Sequence, residues 1–184
     1  MIWIFDNKES IYYIVKIFTK YPPLTSKLNC QLEFLKACLA NNLFLKIYLK
    51  NVSLHYFLNK RRLKFSSQFS IVEKLNNRFI IPNYFCAWLS GFIETKGSFS
   101  VYIKKDNSYY YSFSIKHNND YYILYSIYNL CNMTVKIKNI HDKSYFLKTY
   151  KKEIINKIIN HCISYPLLGE KSKYINQFKK VFYR

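Results

Sequence analysis

Two copies of one short pattern constrain what this chain can fold into. The segment YPPLTSK spans residues 21–27 and YPLLGEK spans residues 165–171, 144 positions apart. Before each copy, apolar residues recur at helical spacing, which predicts amphipathic helices over residues 9–19 and 152–163. Because a residue before proline disfavours the helical conformation, each Tyr-Pro pair ends its helix. A second helix follows each pair, so the sequence predicts the same helical unit twice.

The two copies differ in what precedes them. A long segment with its own helices and strands precedes the second copy, whereas few residues precede the first. We therefore expect residues 84–184 to form a complete repeat and residues 1–45 to be the tail of an incomplete first repeat, with one strand and its closing helices. Residues 46–83 are expected to form a basic linker. On this interpretation another polypeptide carries the missing first half or replaces it.

The segment WLSGFIETKGSFS, residues 88–100, is the most distinctive stretch of a chain that has three glycines. Residues 84–96 predict a helix that ends at Gly97 in the left-handed conformation. A glycine inside a helix costs about 1 kcal/mol relative to alanine, so we expect Gly91 to permit the close approach of a partner helix. The residues predicted to face that partner are Ala87, Ser90, Gly91 and Glu94.

Alternating apolar and polar residues follow this helix. Residues 98–104 and 110–116 predict a hairpin with a turn at 105–108, with Val101 and Ile103 among its inward residues. A helix over 120–131, a second hairpin over 134–140 and 144–150, and two closing helices complete the order. That order predicts an α+β fold, αββαββαα, with an antiparallel saddle-shaped sheet.

The charge of the chain favours a polyanionic partner. Lys and Arg number 29 against 10 Asp and Glu, a formal charge of +19, while half of the residues are hydrophobic, so the chain is not a disordered basic tail. Hydroxyl and amine side chains without acids suit phosphates and base edges. The predicted contact residues are Lys60, Arg61, Arg62, Lys64, Ser98, Ser100, Tyr102, Lys104, Lys105, Tyr110, Ser112, Ser114, Lys116, Lys136 and Lys138.

Several other classes of site have no support in the sequence. The five cysteines and four histidines lack the paired spacing of a zinc site or a disulfide framework, so the cysteines are expected to be reduced core residues. The longest uncharged apolar stretch, residues 79–93, is shorter than the roughly 20 residues that a bilayer span needs. We therefore expect no metal, no cofactor and no membrane partner.

The motif LSGFIETKG (residues 89–97), the segment FSIKHNNDYYIL (residues 113–124) and the two Tyr-Pro segments resemble the LAGLIDADG homing endonuclease and maturase family. The resemblance implies a saddle of strands over DNA, two packed motif helices, and carboxylates at the helix ends that hold a divalent metal. Lys96 stands where the family has its catalytic acid, and His117 stands where glutamine is common. An ammonium cannot ligate Mg²⁺, and Glu94 points elsewhere around the helix, so no catalytic residue is expected.

These observations together predict a catalytically inactive, LAGLIDADG-derived protein that prefers RNA to DNA. The interpretation is a structural rRNA-binding component of a mitochondrial ribonucleoprotein such as the mitoribosome. The bias toward Lys, Asn, Ile, Tyr and Phe, without a targeting segment, predicts organelle encoding and a location in the mitochondrial matrix. The alternatives are a homing endonuclease subunit, which dimerises through residues 84–96 or takes its acid from a second chain, and an intron maturase.

Overall fold

The structure is a computed structural model that describes residues 7–40, 65 and 67–184. The chain divides into two compact units, Met1–Asn77 and Arg78–Arg184. The first unit contains α1 (Lys8–Lys20) and α2 (Ser26–Ala40), and α3 (Gln68–Arg78) ends at the boundary between the units. Helix α3 therefore lies within the segment predicted as a linker. The predicted strand before α1 and the basic residues Lys60, Arg61, Arg62 and Lys64 lie outside the described residues.

The second unit contains the remaining elements in the predicted order. They are α4 (Phe85–Lys96), β1 (Gly97–Ile103), β2 (Tyr109–Asn118), α5 (Tyr121–Leu130), β3 (Lys138–His141), β4 (Ser144–Thr149), α6 (Lys152–Ser164) and α7 (Lys171–Phe182). This arrangement confirms the predicted α+β class and its αββαββαα order. Strand β3 begins four residues later than predicted, because Asn132 takes a left-handed conformation (φ 51°) and Met133 is drawn into the core after α5.

The two helix pairs that end in Tyr-Pro have the same local geometry. Helices α1 and α6 both have 13 residues. Their C-cap residues have nearly equal dihedral angles, φ −126° and ψ 80° at Tyr21 against φ −125° and ψ 84° at Tyr165. Each of these tyrosines donates its backbone N–H to the carbonyl four residues earlier, at 2.9 Å and 2.8 Å. The repeat is thus present in the backbone, and its origin in an incomplete first domain stays a prediction.

The four strands form one antiparallel sheet in the order β1-β2-β4-β3. Phe99 pairs with Phe113 across the first two strands, and Ser114 pairs with Lys148 across the next two. Because side chains alternate between faces, this register places the apolar residues on one face and the polar residues on the other. We call these the inner and outer faces. Near the hairpin tip the alternation does not give burial, since Ile103 is 67% exposed and Val101 is only half-buried.

The core of the second unit lies between the inner face and the helices. Phe99 and Phe113 pack together with a ring separation of 5.0 Å, and Phe99 also lies 5.2 Å from the ring of Phe178 in α7. Ile155 in α6 is fully buried, and Tyr111 donates its hydroxyl to the carbonyl of Val181 at 2.8 Å. Among the described helices, none combines the length and the hydropathy needed to cross a bilayer.

Replacing Ile155 by alanine is expected to lower the free energy of unfolding of this unit by about 2–5 kcal/mol, because the substitution leaves a cavity in a closed core. The matched control is Ile163→Ala in the same helix, where the side chain is 53% exposed and the loss should stay below about 1 kcal/mol. Chemical denaturation of both variants measures the difference. Equal losses would show that α6 does not pack as described.

Candidate nucleic-acid interface

The outer face of the sheet carries hydroxyls, amines and aromatic rings but no carboxylate. One row across three strands contains Ser98, Ser114 and Lys148, because Ser114 pairs with both of the others. A second row contains Lys116, Phe146 and Lys138, because Phe146 pairs with both lysines. Neither aspartate nor glutamate occurs at any position of this face. The outer-face residues are Ser98, Ser100, Tyr102, Tyr110, Ser112, Ser114, Lys116, Asn118, Lys138, Ser144, Phe146, Lys148 and, directly after β4, Tyr150.

Three tyrosines and two lysines of this region contact one another, and we call them the tyrosine–lysine cluster. The rings of Tyr110 and Tyr150 stack at 4.8 Å. The Lys148 ammonium lies 4.9 Å from the Tyr150 ring centroid and 6.0 Å from that of Tyr102. The Lys104 ammonium lies 5.4 Å from the Tyr110 centroid. The three rings remain between 38% and 51% exposed, so the cluster offers both ring faces and positive charge to a ligand.

The hydrogen bond with Tyr150 is the main cause that raises the pKa of Lys148 above its ordinary value. The ammonium is therefore fully charged at neutral pH. Sequence reasoning missed both Lys148 and Tyr150 because no face was assigned to the second hairpin. Their register with the polar residues of β2 is the signal that identifies them.

The predicted contact residues occupy several kinds of position. Ser112 is only 2% exposed on an interior strand of the sheet, so its role as a contact residue stays a prediction that its burial does not favour. Ser100 and Ser114 are half-buried. The exposed residues are Ser98, Tyr102, Lys104, Lys105, Tyr110, Lys116, Lys136 and Lys138, of which Lys104 and Lys105 lie in the hairpin turn and Lys136 precedes β3.

The face of α4 predicted to meet a partner helix is divided between two environments. Ser90 is 4% exposed, donates its hydroxyl to the carbonyl of Tyr165 at 2.7 Å, and lies 3.2 Å from Nε2 of His161. It is therefore bonded within its own unit, and its assignment to a partner interface stays a prediction. Ala87 and Gly91 are exposed, and a Cβ added at Gly91 would meet nothing within 4 Å. These two residues remain available to a second chain.

The C-terminal end of α4 is held by Lys171. Its ammonium donates to the carbonyl of Ile93 at 2.9 Å and to that of Gly97 at 2.6 Å. Its backbone N–H donates to Oε1 of Glu94 at 3.0 Å, so Glu94 also faces its own unit rather than a partner helix. Burial lowers the pKa of Lys171, and the charge of Glu94 opposes that shift.

Gly97 does not adopt the predicted left-handed conformation. Its dihedral angles, φ −73° and ψ 148°, are extended, because the residue already begins β1. A Cβ at this position would lie 2.9 Å from the carbonyl oxygen and from Cγ2 of Ile93. Glycine is thus required here for close packing and not for its backbone angles.

The end of α4 does not fit a divalent cation. Lys96 is exposed at this end and brings a positive charge, and the Glu94 carboxylate is already bonded to the start of α7. The part of the chain that the structure describes contains no group of three or more His, Cys, Asp or Glu side chains that could hold a metal ion. No reaction step is therefore assigned to a metal held by this helix end.

His117 lies away from the outer face. Its position on β2 follows the alternation of Phe113 and Ile115, which are buried on the inner face. Nε2 of His117 is 2.8 Å from Oδ2 of Asp120, and its ring packs edge-on against Phe92 at 5.1 Å. Its occupation of a position that is catalytic in the family stays a prediction, and in this structure the side chain packs beneath the sheet.

Comparison with known sequences shows a match over most of the second unit and relatives along nearly the whole chain. Residues 89–182 match the family model described as LAGLIDADG endonuclease. A protein of Debaryomyces hansenii named probable intron-encoded endonuclease aI3 is 34% identical over 98% of this chain and 29% of that protein. A protein of the same name from Dictyostelium citrinum is 35% identical over 99% of this chain and 68% of that protein. The chain thus spans less than a third of the first relative's length.

Solved structures with similar folds are LAGLIDADG proteins. The homing endonuclease I-GzeII, solved in complex with its DNA target, gives a TM-score of 0.71 at 24% identity, over 96% of this chain and 66% of that one. The meganuclease I-CpaMI, solved bound to uncleaved DNA, gives a TM-score of 0.70 at 21% identity, over 97% of this chain and 67% of that one. At these identities the similarity shows the fold alone, and the family match over residues 89–182 confirms the resemblance seen in the motif.

The prediction that the chain is not an enzyme is wrong. Relatives of 34% and 35% identity are named endonucleases, and none of these comparisons supports a ribosomal component. The error came from treating Lys96 as decisive for the whole activity.

The contact between α4 and α6 predicts a pH-dependent stability. Burial lowers the pKa of His161 below its ordinary value of 6.5, whereas its bond to the Cys86 backbone opposes the shift. The unfolded chain therefore binds a proton more readily, and stability is lost as the pH falls below about 6.5. We expect His161→Gln to flatten the decrease in Tm between about pH 7.5 and about pH 5.

The control for this measurement is His141→Gln, because His141 is exposed on β3. That variant should keep the pH dependence of the parent protein. A parent and a His161→Gln variant with parallel Tm profiles would contradict the assignment of this effect to His161.

Proposed function

Because the chain belongs to the LAGLIDADG endonuclease family, we propose that it is the DNA-binding part of a homing endonuclease that cleaves duplex DNA. The observation that supports the proposal most directly is the acid-free outer face with its tyrosine–lysine cluster. Lysines on this face can neutralise phosphates, and the hydroxyls and rings are groups that can contact base edges. The net charge of +19 strengthens the attraction at longer range.

The β-strands that form this face favour DNA over RNA as the partner. The major groove of B-form DNA admits a two-stranded ribbon, and its base edges carry a distinct pattern for each base pair. The major groove of an RNA duplex is too deep and narrow for such strands. The structural neighbours I-GzeII and I-CpaMI, both solved with DNA, agree with this choice. The proposal therefore replaces the earlier preference for RNA, while the mitochondrial location stays a prediction.

Strand cleavage needs a second motif helix in this proposal. The end of α4 presents Lys96, so a carboxylate for hydrolysis has to come from elsewhere, and Ala87 and Gly91 leave an open path for another helix backbone on α4. Lys96 itself stands in the last turn of α4, where a cation is favoured by the helix dipole. There it would contact a DNA phosphate in place of a metal ion.

The first test measures binding of the full chain to duplex DNA at several salt concentrations. Lys148→Met should weaken binding and reduce the slope of log K against log salt by about one, because one phosphate contact is lost. The matched control is Lys180→Met, an equal loss of charge at an exposed position of α7, away from the sheet. Equal effects of the two substitutions, or tighter binding to an RNA duplex than to DNA, would contradict the proposed surface.

A second test restores a carboxylate to the end of α4. We expect Lys96→Glu to increase Mg²⁺-dependent cleavage of an AT-rich plasmid by about tenfold or more, because a hard oxygen ligand replaces an ammonium. Lys105→Glu makes the same charge change in the exposed hairpin turn and should not increase cleavage. If the parent chain and the Lys96→Glu variant cleave at the same rate, the explanation based on Lys96 is wrong.

A further inference from the structure

Helix α5 carries nearly parallel tyrosine rings along one side. The rings of Tyr121 and Tyr125 lie 6.0 Å apart with an angle of 18° between their planes. Those of Tyr125 and Tyr128 lie 6.2 Å apart at an angle of 7°. Spacings of three and four residues place these side chains on one face of the helix. Tyr145 of β4 extends the series, because its ring meets that of Tyr121 edge-on at 5.2 Å. We call these four residues the tyrosine ladder.

The tyrosine ladder belongs neither to the core nor to the outer face. The residues of α5 that fill the core are Tyr122, Ile123, Leu124, Ser126 and Ile127. Tyr125 is 49% exposed, and the other three tyrosines of the ladder are half-buried. On β4, Tyr145 lies on the opposite side of the strand from Phe146, which is an outer-face residue. The ladder is therefore a second aromatic surface, separate from the tyrosine–lysine cluster.

The charges around the ladder are mostly positive. The sequence of α5, YYILYSIYNL, contains no charged residue. At its start, the backbone N–H of Asn119 donates to the carbonyl of Lys143 at 2.7 Å, which brings the turn after β3 next to the helix. Asp142 precedes Lys143 in that turn and offsets part of its charge. At the other end, burial raises the pKa of Cys131 to about 11 and the nearby Lys157 ammonium opposes the shift, so an exposed cation lies close to the C-cap of α5.

We propose that the tyrosine ladder binds unpaired bases of a single-stranded nucleic acid. Every base has a π-face, so aromatic side chains flanked by cations bind single strands with little dependence on sequence. Nearly parallel rings suit successive bases of one strand, which stack in the same way. The formal charge of +19 favours a polyanion over an uncharged protein as the ligand of this surface.

This site goes beyond the proposed function, because a duplex keeps its bases paired and stacked on one another. Only a strand whose bases are unpaired can use the exposed rings in this way. Such a strand can be unwound DNA or RNA, and both present the same bases and phosphates. The two sources differ in the sugar, which the experiment varies.

The test is photocrosslinking of the full chain to short oligonucleotides that contain iodouracil, one with deoxyribose and one with ribose. On irradiation, iodouracil reacts with aromatic side chains against which it stacks, and mass spectrometry identifies the labelled peptide. We expect the label on α5, first at Tyr125, because its ring is the most exposed of the ladder. Stronger labelling by one of the two oligonucleotides identifies the strand as DNA or RNA.

Tyr125→Ala should raise the Kd for the oligonucleotide about fivefold or more and abolish labelling of α5, because a stacking contact is lost. Tyr125→Phe should keep both, since the ring and not the hydroxyl makes the contact. Alanine is the best helix former, so the exposed position tolerates it. The matched control is Tyr183→Ala, which should leave the Kd within about twofold. Tyr183 is 56% exposed, but its ring meets that of Phe182 edge-on at 5.2 Å and has no place in the ladder.

The proposal is overturned if the label lies on the tyrosine–lysine cluster instead of α5, or if Tyr125→Ala binds and labels like the parent. Loss of self-association in Tyr125→Ala with unchanged labelling would also overturn it and assign the ladder to a protein contact. Duplex binding separates this result from the proposed function. Tyr125→Ala should keep the Kd for duplex DNA within about twofold, and Lys148→Met should leave labelling of α5 unchanged. Labelling of α5 in a chain that does not bind duplex DNA would refute the proposed function and leave the single-strand site intact.

Discussion

The pairing register of β1, β2 and β4 is the constraint on which the rest of the second unit depends. It aligns Ser98, Ser114 and Lys148 in one row and Phe99, Phe113 and Thr149 in the next. A shift by one residue would exchange the two faces, placing lysines against the helices and phenylalanines against solvent. The buried side chains of α5, α6 and α7 oppose such a shift, because each needs the inner face as its apolar surface. Packing of the helices on the inner face thereby determines which residues lie on the outer face.

The helices and strands could be predicted from the sequence where the apolar periodicity is strong. They were predicted less well where tertiary contacts determine where an element begins or ends. The alternation around Phe99 and Phe113 and the Tyr-Pro stops predict the first hairpin and the closing helices within one or two residues. The later start of β3 depends on burial of Met133, which no local pattern shows. Gly97 was expected to cap a helix by its backbone angles, but it serves a tight approach to Ile93. Sequence spacing shows that a glycine is needed at this position, but not whether its backbone angles or its lack of a side chain is the reason.

The types of side chain at the candidate site could be predicted from the sequence better than the particular residues that form it. Hydroxyls and amines on alternate positions indicated the outer face, yet the alternation alone could not show that Ser112 is covered or that Lys148 and Tyr150 complete the cluster. On α4, a helical projection places Ser90 and Glu94 beside Ala87 and Gly91. It cannot tell which polar residues find partners within the same unit, because Tyr165 and Lys171 are more than 70 positions away along the chain.

Hydrogen bonds of Glu94 and Lys171 connect the end of α4 to the start of α7. If an acid stood at position 96 and held a metal ion, the ion would constrain this helix end from outside the fold. Here the constraint comes from inside the fold, through Lys171 bound to Ile93 and Gly97. A helix end held in this way keeps its geometry whether residue 96 carries a carboxylate or an ammonium.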